Sequence, residues 1–180
     1  MTVYSCGLVR AGEPVSLFDG KTLDAWEILK CQAVVRDNAI LLESGNGLVQ
    51  TKKRYDDFVL EFEWKALRSD EWDSGVYFRY QDVPKDSPWP ERYQVNLRKG
   101  GEGDLVGFAA GKNKVAVKVG DWNHFELSVK GSIASLKVNG KPAWKVDGIE
   151  VPSGYIALQA EIPGGGQFLF RNIRVTELGK

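Results

Sequence analysis

The chain has 180 residues, and its 24 Lys plus Arg are balanced by 24 Asp plus Glu. That length buries an adequate core as one domain without staples or metals, and the charge balance, with no basic run among stacking aromatics, argues against nucleic acid as a partner. No apolar run approaches the roughly 20 residues of a transmembrane helix. Two cysteines, Cys6 and Cys31, allow one disulfide or none and, beside a single histidine, give no zinc-site spacing.

In chain order, the opening VYSCGLVRAGEP is small, weakly apolar and unlike the rest. It reads equally as the tail of an export signal or as a frayed terminus. Residues 1–13 are therefore set apart from a single domain over 14–180, and the first alternative implies export to the periplasm or beyond. From Val15 onward strand signals dominate, and no window of a dozen residues keeps a helical period. FVLEFEWK places Phe58, Leu60, Phe62 and Trp64 on one face and Glu61, Glu63 and Lys65 on the other, the pattern of a half-buried antiparallel strand. GVYFRY, NHFELSVK and YIALQAE repeat the alternation, with Val76, Phe78 and Tyr80, then Phe125, Leu127 and Val129, then Ile156, Leu158 and Ala160 facing inward. Turn signals fall at Asp37-Asn38, Gly45-Asn46-Gly47, Gly100-Gly101 and Asn139-Gly140, the last being the strongest hairpin signal. Many short strands with Gly-rich turns and no crossover helices predict an all-β antiparallel sandwich of the jelly-roll kind.

Two stretches suggest a site. ERYQVNL alternates Tyr93, Val95 and Leu97 with Arg92, Gln94 and Asn96, which sets three hydrogen-bonding side chains about 7 Å apart along one surface. Just before it, QDVPKDSPWPE frames Trp89 with Pro84, Pro88 and Pro90. A Trp on a loop stiffened by proline either walls a ligand site or seals a sheet edge. On the same alternation Tyr77, Arg79, Gln159 and Glu161 also point away from the core side of their strands. His124 shares a side with Glu126 and Ser128 and is expected on a solvent-facing surface.

Taken together, PVSLFDGKTLDAW, TKKRYDDFVLEFEW, DSGVYFR, YQVNL, GDLVGF, GDWNHFEL, SGYIALQAE and FRNIRV resemble, in order over nearly everything after Glu13, the 3-keto-disaccharide hydrolase domain family. The resemblance implies a concanavalin-like jelly-roll sandwich of two antiparallel sheets, typically exported by bacteria, that acts as a hydrolase or lyase on glycosides oxidised to a ketone at sugar C3. The ketone acidifies the C2 proton. A base removes it, the group on C1 leaves, and water adds back. Such chemistry needs a base at C2, a donor at the enolate oxygen, and an acid or metal at the leaving oxygen.

In that frame Arg79 is expected at the enolate or ketone oxygen, because guanidinium stays charged and offers a fork of donors, and Glu161 is the expected base. Tyr77, Trp89, Arg92, Gln94, Asn96 and Gln159 are expected to bind the sugar. Asp73 is expected to pin the turn before Tyr77, and FRNIR to close the sheet with Arg171 and Asn172 on backbone groups. The family pattern resembles YQVNL with a Glu where this chain has Gln94, and an amide cannot act as a base near neutral pH. Two classes of function therefore stay open: cleavage of 3-keto-glycosides, or a non-catalytic carbohydrate-binding module using the same concave face. No cofactor is evident, and a divalent metal is left open.

Overall fold

The structure is a computed structural model and describes residues 12–179; the expectations about Cys6 and the opening segment up to Ala11 lie outside it. The described residues contain eleven strands and no helix: β1 Val15–Ser16, β2 Trp26–Arg36, β3 Ala39–Thr51, β4 Phe58–Ala66, β5 Gly75–Tyr80, β6 Gln94–Asn96, β7 Asn123–Lys130, β8 Ile133–Val138, β9 Lys141–Asp147, β10 Tyr155–Ile162 and β11 Phe168–Glu177. Every pairing is antiparallel. The expected alternation holds in β4 and β7, which interdigitate Phe58, Leu60, Phe62 and Trp64 with Phe125, Leu127 and Val129 at 0–1% exposure. Burying each such side chain contributes roughly 1.5–3 kcal/mol.

Instead of two separate sheets, the strands form one unbroken path, β6-β5-β10-β3-β11-β4-β7-β8-β9, with β2 on β3 and β1 on β11. The path curls because β3 serves two neighbours. Ile40–Leu42 pair with β11, whereas Gly45–Gln50 pair with β10. The hinge is Gly45-Asn46-Gly47, expected as a turn and found inside the strand. Gly45 has a φ of 89°, and a Cβ there would lie 2.8 Å from Cys31 Cα. Only glycine takes that backbone and that approach without strain. Asp37-Asn38 and Asn139-Gly140 are true hairpin turns, with φ of 50° and 57° in the first and 50° and 77° in the second. Both central residues thus have the positive φ of a type I′ turn.

Arg171 does not cap backbone groups as expected. It donates to Glu63 at 2.6 Å and lies 3.9 Å over the Trp122 ring. His124 is on the outer surface opposite Glu63, 3.7 Å from Glu61.

Candidate functional site

The strands carrying the polar residues are neighbours: β5 lies between β6 and β10, and β10 pairs with β3. Register puts Tyr77 opposite Gln94 and Ala157, Gln159 opposite Leu48, and Glu161 opposite Asn46. Period-two alternation then sets Tyr77, Gln94, Asn96, Gln159 and Glu161 on one face.

Their side chains are linked. Gln94 Nε2 donates to Gln159 Oε1 at 2.6 Å, and Gln159 Nε2 donates to Glu161 Oε2 at 3.2 Å. Gly75 makes the first link: a Cβ at that position would collide with Gln94 Nε2 and lie 2.9 Å from Gln159 Oε1. The relay ends on a carboxylate whose pKa is raised, first by burial and then by the charge of Asp73, with Arg98 opposing. Tyr77 is 4% exposed. Its phenol is held protonated well above the usual range by burial and by the charges of Glu161 and Asp73. Asn96 Oδ1 accepts from the Arg98 N–H at 3.0 Å, which turns the chain so that Arg98 Nε comes 3.7 Å from Asp73 Oδ2.

Next to this polar strip the face is apolar. Leu48, Tyr77, Tyr80 and Ala157 form a buried patch, and Trp89 and Val83 of the proline-framed loop pack on it. Trp89 Nε1 donates to the Ala160 carbonyl at 3.2 Å. The loop thus lies along the face and walls one side of the strip. Beyond it, the Tyr80 hydroxyl donates to Gln50 at 2.6 Å and Gln50 donates to Glu27 at 3.2 Å.

Two expected site residues are elsewhere. At Arg79 the register against β10 shifts, from Ile156 opposite Phe78 to Tyr155 opposite Tyr80, and φ is 50°. This bulge inserts one residue, so Tyr80 takes the face that strict alternation assigns to Arg79. The Arg79 side chain is 1% exposed and donates to Asp57 Oδ1 and the Asp56 and Gly131 carbonyls, each at 2.7 Å, and to the Val151 carbonyl at 3.4 Å. No enolate can reach it without displacing those partners. Arg92 precedes β6, is exposed, and lies 3.4 Å from Glu150 and 5.5 Å over the Tyr93 ring. Its guanidinium belongs to the Glu150 side of the molecule.

A cavity of about 980 Å³ lies at that Arg79 end, lined by Arg54, Asp56, Asp57, Ser132 and Glu150 and rimmed by Gly12 and Gly179. The Arg79 guanidinium in its wall is already bonded, and the residues of the strip lie outside its lining. Among the described residues no cluster of three or more His, Cys, Asp and Glu side chains is arranged to hold a metal ion, and no helix is long and apolar enough to cross a membrane.

Residues 13–176 match the model of the 3-keto-alpha-glucoside-1,2-lyase-like domain. The chain belongs to that family. The 3-keto-alpha-glucoside-1,2-lyase-like domain here also shares its fold with solved structures. A candidate glycosyl hydrolase from Parabacteroides distasonis superposes with a TM-score of 0.74 at 17% identity, over 93% of this chain and 94% of that one. A carbohydrate-binding module from Bacillus subtilis gives 0.63 at 14% identity, over 83% and 93%. A Bacillus subtilis protein with a galectin-like fold gives 0.66 at 10% identity, over 94% and 97%. No sequence relative is found among curated proteins.

Within this 3-keto-alpha-glucoside-1,2-lyase-like domain, three residues join the strip without having been assigned to it from sequence. Asn46 is brought opposite Glu161 by the bend in β3. Asp73, expected to pin a turn, adds a second carboxyl. Arg98 supplies the strip's guanidinium, and carrying the alternation of Arg92, Gln94 and Asn96 one step further would have pointed to it.

Proposed function

We propose that the polar strip binds and cleaves 3-keto-glycosides, with Glu161 as the base that removes the C2 proton. The observation that carries this reading is Glu161 itself, a half-buried carboxylate at the end of the Gln94–Gln159 relay with its pKa raised by burial. A base works best when its pKa approaches the working pH. The relay fixes its rotamer from one side and leaves its other oxygen for substrate. Membership of the family adds the substrate class.

The enolate oxygen needs a donor that is protonated and preorganised. Tyr77 takes that role in place of Arg79, because its phenol is buried, protonated and close enough to feel the Glu161 charge. Gln94 binds the sugar through its remaining amide hydrogen and its carbonyl, and Trp89 offers a ring edge along the wall. The curled sheet is read as a two-layer concanavalin-like jelly roll whose layers stay joined through β3.

The test is release of the alcohol from a 3-keto-glucoside. Glu161→Gln should lower the rate by about a hundred- to ten-thousand-fold while leaving sugar binding nearly intact, because the amide keeps shape and one hydrogen bond. Full activity in that variant removes Glu161 from the role. Binding without turnover in the wild type supports the carbohydrate-binding module instead.

A further inference from the structure

Elimination across C1–C2 has a geometric requirement. The proton leaves C2 and the alcohol leaves the adjacent carbon, so where C2–H and C1–O lie on one ring face, as in a β-glucoside, base and acid stand side by side rather than across the ring as the two carboxyl groups do in ordinary glycosidases. Two carboxyl groups do so here. Gly165 ties their backbones together: its N–H donates to the Glu161 carbonyl at 2.5 Å, and its carbonyl accepts from the Asp73 N–H at 2.9 Å. Glycine at 165 allows this close approach, since a Cβ there would collide with the Asp73 carbonyl oxygen and lie 3.0 Å from Asp73 Cβ. Tyr77 shares a sheet face with Glu161, Asp73 lies just before β5, and burial together with both carboxyl charges raises the phenol's pKa. Arg98, at 3.7 Å, is the cation closing the other side of Asp73.

We propose that Asp73 is the general acid that protonates the leaving glycosidic oxygen while Glu161 takes the C2 proton; this rests on the reading of the strip as a 3-keto-glycoside site. In the forward step the C2–H electrons form the C1–C2 double bond and the C1–O bond breaks. The Asp73 proton goes to the departing oxygen, and the C2 proton ends on Glu161. In the return step water adds to C1 and gives a proton to the Asp73 carboxylate, and Glu161 returns its proton to C2. Both groups are restored and the net change is hydrolysis, with no other reactant. Burial raises the Asp73 pKa, with Arg98 opposing, which favours the protonated form that an acid must start from.

The experiment compares two substrates, the methyl and the 4-nitrophenyl 3-keto-β-glucosides. Methanol needs a proton to leave and nitrophenolate does not. Asp73→Asn should therefore slow methanol release by about a hundred- to ten-thousand-fold and nitrophenol release by less than about tenfold. Asp73→Ser, checked for folding by thermal melting, should repeat that split, and Asp73→Glu should recover part of the methanol rate. Equal loss on both substrates, or no loss on either, overturns the acid role while leaving Glu161 as base. Absence of turnover of both substrates by the wild type overturns the reading of the site, and this inference with it.

Discussion

The two ends of β5 each hold a guanidinium beside carboxylates, and they are built in opposite ways. At the Arg79 end the guanidinium is sealed, with Asp57 and three backbone carbonyls as acceptors. At the Gly75 end Arg98 lies at 3.7 Å from Asp73, the Gln94–Gln159 relay runs out on Glu161, and both carboxyl groups have pKa values raised by burial. A saturated charge holds the fold, because a ligand would have to replace bonds worth about 1.5–3 kcal/mol each. An unsaturated one is available for chemistry and costs stability while it waits.

The sharpest way to break this contrast is at the sealed end. Arg79→Met should cost about 3–5 kcal/mol, since it leaves Asp57 and three carbonyls without their partner, and denaturant titration would read it as a lower midpoint. Activity per folded molecule should stay near wild type. A large loss of kcat with unchanged stability would return Arg79 to the chemistry.

A smaller effect is expected at the wall between the two ends. Trp89 is half-buried on Leu48, Tyr77, Tyr80 and Ala157, so Trp89→Ala should cost about 1–3 kcal/mol and should also weaken sugar binding, followed by loss of the ligand-induced change in indole fluorescence. Stability loss with unchanged affinity would make the residue a seal for the sheet and nothing more.

The smallest effect has a distinctive sign. Because the folded-state pKa of Glu161 is raised, the folded protein holds that proton more tightly than the unfolded chain. The associated stability is fully present below the ordinary carboxyl pKa and is lost as pH rises through the raised value. Glu161→Gln should therefore melt slightly higher than wild type at pH 7, with the gain disappearing below about pH 4. Over the same window wild-type release of nitrophenol, which needs no acid, should rise with pH as the base loses its proton. A variant that melts lower than wild type at pH 7 would mean that the carboxylate is a structural partner like Asp57.

How much of this was legible in the sequence depended on the range of the interaction involved. Period-two alternation is set by the backbone alone, so the inward faces of β4, β7 and β10 and the shared outward face of Tyr77, Gln94, Asn96, Gln159 and Glu161 could be read residue by residue. Asp37-Asn38 and Asn139-Gly140 were equally legible, because tight turns demand residues that accept positive φ. The alternation misplaced Arg79, because one bulge against β10 reverses every facing after it and nothing within GVYFRY announces the extra residue. It also placed Arg92 on a strand that begins only at Gln94. Gly45-Asn46-Gly47 carries a turn's composition, but only the pairing of β3 with both β10 and β11 makes it a bend. Asp73, Glu161 and Arg98 lie on three separate segments, and the two carboxyl residues are 88 positions apart. Facing along an unbroken strand could be read from sequence because it follows from local backbone geometry; tertiary structure alone decided where that alternation breaks and which charges meet, because those follow from register, bulges and the closing of distant loops on one another.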